Sequence, residues 1–319
     1  MRDRFFRFLL LPLLIVVTTG SVEVSHAQPP AAIAVILPTT PPHLQTIYRA
    51  FLRRFTEISA GHPAPRFYMQ APNDDYLSLR NSARKAVALN ADLIVAFGTS
   101  AALAAKAESF ETPVVFADAI EPEAVGLVSS NKRDSQLATG VRGNLPLQTL
   151  FKLLRELTNT LKLALVLDGD PSDKQMIAIF KDAAGRRSLE VVPVNMKGKA
   201  PAEVMREITA SGANGLLFVE DEEKHQAVLE LALEKKLPSV SIVPEMAEAG
   251  ALLVMEVSPE EQGEALAEIT LRVMNGDYPE AIPVVTPRKG GIVINLNSAQ
   301  KCGLQIPFET LSQATRVVR

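Results

Sequence analysis

Gly98-Thr99-Ser100 stands between an apolar run, residues 93–97 (LIVAF), and an alanine-rich stretch, residues 101–107. The apolar run is too short for a helix and is bounded by glycine, so it reads as a buried strand. The alanine stretch has high helix propensity. The turn between them therefore sets a helix amino end at the carboxyl edge of a buried strand. Such an end offers unpaired N–H groups and a partial positive charge. The hydroxyls of Thr99 and Ser100 add donors, and either can cap the helix. The combination suits a carboxylate or another small anion. An ordinary capped helix without a ligand is the alternative.

Acids and hydroxyls follow the other apolar runs in the same way. Thr39 and Thr40 come after residues 33–37, and Asp118 and Glu121 after residues 113–117. Asp168, Asp170 and Ser172 come after residues 163–167, and Glu220 and Asp221 after residues 216–219. In open parallel sheets the ligand crevice lies at those strand ends. Two lobes facing one another would make a cleft with donors on one wall and carboxylates nearby. A zwitterion suits that cleft.

The elements that position these residues alternate strand and helix. Residues 33–37, 67–69, 93–97 and 113–117 read as strands, with helical spacing over residues 43–59 and 76–89. After a polar loop at residues 129–135 the alternation restarts. It gives helices at 147–157, 172–184, 200–211 and 222–235, and strands at 163–167, 189–194, 216–219 and 240–243. A strand at 252–257, a helix at 259–275 and a strand at 292–296 close the chain. The expected fold class is α/β, with two doubly wound parallel-sheet lobes joined by a hinge. The expected division is 28–142 plus about 252–282 for one lobe and 143–251 plus about 283–319 for the other.

Composition narrows the function classes. A chain of 319 residues with 47 % apolar content can bury two sizeable cores. Its net charge of −3, without a basic cluster, argues against nucleic acid as a partner. Arg2, Arg4 and Arg7 precede an apolar run at residues 8–17, and Ser25-His26-Ala27 has the form of a cleavage site. Residues 1–27 therefore read as a secretory signal peptide with Gln28 as the mature start, and an uncleaved anchor is the alternative. No cysteine lies near that site, which argues against a lipid anchor. The single cysteine, Cys302, allows no internal disulfide and reads as a half-buried small residue.

No Gly-x-Gly-x-x-Gly follows any strand, so no dinucleotide is expected, and no other cofactor is indicated. His26, His43, His62 and His225 lack metal-ligand spacing. His43, at a helix start, reads as a surface histidine, with a ligand contact as the alternative. The string LVLDGDPS at residues 165–172 resembles the phosphoaspartyl motif of haloacid-dehalogenase-type phosphatases, with Asp168 and Asp170 in the key positions. Its place in mid-chain argues against that enzyme.

Three stretches in order resemble a known family. DLIVAFGTSAALAAK followed by TPVVFADAIEPEAVGLV is similar to the amino-terminal signature of ABC-transporter substrate-binding proteins of the tryptophan/tyrosine type. ATGVRGNLPLQTLFKLLRELTNTLKLALVLDGDPSD falls in register with that family's crossing between lobes, and GGIVINLNSAQKCGLQIP matches its carboxy-terminal signature. The resemblance implies a type I periplasmic binding fold with three crossings and hinge closure on an amino acid or similar small molecule. It also implies delivery to a membrane permease and its ATPase, by a periplasmic monomer without catalytic activity.

By position, Gly98, Thr99 and Ser100 match the family's carboxylate-binding turn. Residues 118–122 match a loop that usually reads Asp-Pro, Asp170 to Ser172 the second-lobe loop, and Glu220-Asp221 the polar strand end. Glu121 stands where Asp is usual, Ser100 where Pro is common, and Val257-Ser258-Pro259-Glu260 where tyrosine is frequent. With no Trp and four Tyr, an aromatic stacking box is poorly supported. A sensor that passes a ligand signal to a membrane receptor or kinase would share all these features.

Overall fold

The computed structural model describes residues 31–61, 63–129, 137–170, 173–220 and 223–319. The expected signal segment, together with His62, Ser172 and Asp221, lies outside the described residues.

The first lobe is built from β1 (Ala32–Ile36), α1 (His43–Ile58), β2 (Arg66–Gln70), α2 (Tyr76–Ala88), β3 (Leu93–Phe97), α3 (Thr99–Glu108), β4 (Val114–Ala119) and β5 (Ala138–Arg142). Its five strands form a parallel sheet in the order β2-β1-β3-β4-β5. Successive strand side chains point to opposite faces. Ile33 and Val35 accordingly enter the core under α1, while Ala34 and Ile36 enter the core under α2 and α3. Helix α1 buries Leu44, Ile47, Phe51 and Phe55, a stripe at helical spacing. Phe51 packs against Phe55, Phe67 and Phe97 with ring centroids 5.6, 6.2 and 6.3 Å apart. Helix α3 buries Ala101, Ala102, Ala104 and Ala105, whose small side chains let it lie close to the sheet and to α2.

The second lobe follows with α4 (Leu147–Leu157), β6 (Lys162–Leu167), α5 (Asp173–Gly185), β7 (Glu190–Asn195), α6 (Pro201–Ala210), β8 (Gly215–Phe218), α7 (Glu223–Glu234), β9 (Ser239–Ser241), α8 (Met246–Ala249) and β10 (Leu253–Val257). The chain then returns to the first lobe as α9 (Pro259–Met274), and ends with β11 (Gly290–Asn295), α10 (Leu296–Lys301), α11 (Phe308–Gln313) and β12 (Arg316–Val318). The second sheet has seven strands in the order β12-β11-β10-β9-β8-β6-β7.

Two features depart from the sequence expectation. β11 runs antiparallel to β10, so the second sheet is mixed. β10 pairs with β9 and β11, which places residues 253–257 in the second lobe rather than the first. An isolated apolar strand carries no signal of which sheet it joins, since both cores accept it. The return to the first lobe comes at Ser258, whose side chain caps α9 by accepting from the Glu261 amide. α9 then packs along α1, and the chain crosses back through residues 283–290. Val285 bridges Val141 at the edge of β5.

Candidate functional site

A cavity of about 90 Å³ lies between the lobes at the carboxyl ends of both sheets. Pro38, Pro41, His43, Gly98, Thr99, Ser100, Asp118 and Gly143 line it from the first lobe. Leu167, Asp173, Met176, Val219, Glu220, Ile242 and Val243 line it from the second.

On the first-lobe wall α3 presents its amino end. The helix begins at Thr99, Gly98 is its N-cap with φ of 89°, and no side chain caps it. That φ lies in the region glycine adopts without a steric penalty. The expectation that Thr99 or Ser100 caps the helix is corrected here. Thr99 Oγ1 instead accepts a hydrogen bond from the Ile120 amide at 2.9 Å, tying the turn to the end of β4. The helix end therefore faces the cavity without a side chain of its own to neutralise it.

Asp118 stands at the other side of that turn, with φ of 58°. Its backbone amide donates to Gln262 Oε1 at 3.0 Å, and Gln262 Nε2 donates to Asp118 Oδ1 at 3.3 Å. Gln262 is a buried residue of α9, so the return helix holds the cleft acid in place. Gly143 closes the arrangement, because a Cβ there would lie 2.7 Å from both Asp118 C and Oδ1.

His43, at the start of α1, joins the two lobes. Its Nε2 lies 3.0 Å from Asp118 Oδ2, and its Nδ1 lies 2.9 Å from Glu245 Oε2. The His43 amide also donates to Glu245 Oε1 at 2.6 Å. Glu245 belongs to the second lobe, just before α8. The three side chains are 9 %, 18 % and 22 % exposed, in the order His43, Asp118, Glu245. Burial alone disfavours the imidazolium, but the charge and hydrogen bond of Asp118, joined by those of Glu245, outweigh it. The pKa is pushed up to about 10. His43 is a cation at neutral pH, and burial, which would raise the Glu245 carboxyl, is outweighed by His43, which holds it below its usual value.

The second-lobe wall is acidic. Asp173 Oδ2 accepts from the amides of Gly169 at 2.9 Å and Asp170 at 3.1 Å, closing the loop before α5. Burial, then the charges of Asp170 and Asp168, raise the Asp173 carboxyl against those two amides. Burial also raises Glu220, helped by Asp168 and Asp173 and opposed by His225. Lys224 Nζ lies 2.6 Å from Asp168 Oδ2.

Of the residues singled out from sequence, Gly98, Thr99, Ser100, Asp118 and Glu220 line this cavity. Thr39 and Thr40 are exposed and do not line it; the flanking Pro38 and Pro41 do. Glu121 turns away, with φ of 42°, and its carboxylate meets Arg142 at 3.0 Å and Asn144 at 2.9 Å beside a separate cavity. Asp170 contributes its amide to Asp173 and does not reach the cavity. The reading of His43 as a surface residue is also corrected. Sequence reasoning missed Glu245, although it follows a strand end as the other acids do. It missed Asp173, Gly143 and Gln262 as well.

Comparison with known proteins shows the same kinship. A family model described as ABC transporter substrate binding protein matches residues 32–318. This chain belongs to that family. A tyrosine-binding protein from Clostridioides difficile is 24 % identical to it over 244 residues, which is 74 % of this chain and 70 % of the relative. The crystal structure of an ABC domain in complex with L-Trp, from Streptococcus pneumonia, superposes with a TM-score of 0.76 at 23 % identity, covering 91 % of this chain and 100 % of that one. A leucine-binding protein, LivK of Thermotoga maritima, superposes with a TM-score of 0.59 at 12 % identity, covering 79 % of this chain and 85 % of its own. ABC substrate-binding proteins are extracytoplasmic. Among the described residues of this substrate-binding protein, no helix is long and apolar enough to cross a membrane. The family is one of solute-binding proteins, and Asp168 is held by Lys224 and His225, so the phosphatase reading of Asp168 and Asp170 gains no support.

Proposed function

We propose that the protein binds a free amino acid with an apolar side chain, acting as a periplasmic monomer that delivers it to an ABC permease and ATPase without chemical change. The observation that carries this reading is the uncapped amino end of α3 sharing one cavity with Asp118 beside it and Glu220 on the opposite wall. The helix amides and the Ser100 hydroxyl hold the carboxylate. Asp118, from beside the turn, and Glu220, from the opposite wall, receive the ammonium. Each charge-assisted hydrogen bond contributes about 1.5–3 kcal/mol. Leu103, Ile120, Leu167, Met176 and Ile242 line the rest of the cavity and suit an apolar side chain. The tyrosine- and tryptophan-binding relatives favour the same class of ligand.

The test is a calorimetric and thermal-shift screen of residues 28–319 against the L-amino acids, repeated with the amine and the acid analogue of any hit. The expected result is binding that needs both charged groups. Ser100→Asp should abolish it while leaving the melting temperature equal or higher, because an acid in the first turn complements the helix dipole. Binding of the bare amine as tightly as the amino acid, or full affinity in Ser100→Asp, would remove α3 from the site.

A further inference from the structure

Behind the second-lobe wall, three side chains from three elements converge. Asp168 follows β6, Glu220 follows β8, and His225 lies in the first turn of α7. One ligand-type atom from each lies within 4.8 Å of the others. His225 is fully buried, and its Nε2 faces Asp168 Oδ1 at 3.4 Å and Glu220 Oε2 at 3.3 Å. Those separations exceed the usual N–H···O range of about 2.7–3.2 Å. They match the donor–donor edge of a coordination tetrahedron, which is about 3.4 Å when metal bonds are about 2.1 Å long.

The two carboxylate oxygens supply the independent observation. Asp168 Oδ1 and Glu220 Oε2 are sealed from solvent, and beyond the long ion-pair contact with His225 Nε2 neither takes a hydrogen bond. A buried carboxylate oxygen left this way is costly, and a bound ion is one of the few things that satisfies it. Lys224 Nζ meanwhile holds the outer Asp168 oxygen at 2.6 Å, which fixes the direction of the inner one. Asp173 and Asp170 add negative charge around the group.

We propose that Asp168, Glu220 and His225 bind a divalent transition-metal cation, of the Zn²⁺ or Mn²⁺ kind, in the second-lobe wall of the cleft. One imidazole nitrogen and two carboxylate oxygens suit these ions better than Mg²⁺ or Ca²⁺, which prefer oxygen alone. Glu220 also lines the ligand cavity, so the ion stands next to bound solute with His225 behind it. The proposal does not depend on the solute's being an amino acid.

The experiment uses untagged protein, residues 28–319, stripped with chelator and titrated with Zn²⁺ and Mn²⁺ by calorimetry and with Co²⁺ by visible absorption. One equivalent of ion per chain is expected. Asp168→Asn and Glu220→Gln should each weaken Zn²⁺ binding by at least about tenfold. His225→Gln should remove the Co²⁺ absorption bands. Since His225 is buried, circular dichroism checks its fold, and the two partly exposed carboxylate variants carry the test if it fails. Absence of stoichiometric binding to all three ions, or unchanged affinity in both carboxylate variants, overturns the proposal and leaves His225 simply packed between two acids. Amino-acid binding measured in chelator separates this failure from failure of the transport reading.

Discussion

Replacing Glu245 with Gln removes the charge that, among the described residues, reaches His43 from the other lobe while keeping the side chain's size. Glu245 accepts two hydrogen bonds from His43, from the amide at 2.6 Å and from Nδ1 at 2.9 Å. A hydrogen bond to a charged group contributes about 1.5–3 kcal/mol. The glutamine oxygen still accepts one of the two bonds, so the net loss should equal about one of them. That loss falls on the closed state alone, because an open cleft makes no cross-lobe contact. The closed-to-open ratio should therefore drop by roughly 10- to 150-fold. Where closure limits affinity, the Kd of the bound amino acid rises by up to the same factor. Calorimetry reads the Kd, and small-angle scattering reads the radius of gyration of the unliganded protein, which should increase. Far-UV circular dichroism should not change, since Glu245 lies outside both cores. A Kd within about twofold of wild type together with an unchanged radius would refute the cross-lobe role of His43.

The pH dependence of that contact carries a definite sign. His43 has its pKa raised from 6.5 to about 10. The stabilisation is thus fully present below about 6.5, and is lost as pH rises through about 10. A shift of that size amounts to about 5 kcal/mol, shared between Asp118 in the same lobe and Glu245 across the cleft. Wild-type melting temperature should be level below about pH 6.5, fall steadily as pH rises from about 6.5 to about 10, and level off above that. In Glu245→Gln the loss should be smaller, starting at the same pH but complete at a lower one, because the folded-state pKa of His43 falls while the unfolded value stays.

Two further substitutions test how Asp118 is held. Gly143→Ala would drive a methyl group into Asp118, and should weaken amino-acid binding at least tenfold while lowering the melting temperature; an unchanged affinity would mean that Asp118 is not a ligand contact. Gln262→Leu leaves the Asp118 amide without its partner, and should cost about 1–3 kcal/mol of stability in chemical denaturation as well as affinity.

The strands and most helices were legible because their signals are local. Buried parallel strands such as β3 and β6 are short continuous apolar runs, and α1 and α4 show an unbroken stripe at helical spacing. Sheet membership was less legible. β10 has the same apolar character whether it joins the first sheet or the second, and only its pairing with β9 and β11 decides. In the site, residues directly at a strand end could be placed because the fold class puts strand ends at the crevice. Glu121 could not, since a left-handed turn and the Arg142 partner divert it. Gln262 and Glu245 lie 144 and 202 residues from their partners, Asp118 and His43, and nothing local marks either.

The charges across the cleft explain why solute and closure should be coupled. His43 and Glu245 attract when the lobes meet, which favours an empty closed state. Asp118 on one wall and Glu220 and Asp173 on the other face the same cavity with like charge, which opposes it. On the proposed reading, an ammonium group placed between those acids would convert the opposing force into an attraction, while the solute's carboxylate would take up the α3 amides. A ligand shifts a two-state equilibrium only by its difference in affinity for the two states. On that reading the difference would arise from acids belonging to separate lobes, which a single ammonium could satisfy together only when the cleft is shut. A simple carboxylate engages the first lobe alone, so it should bind without driving closure.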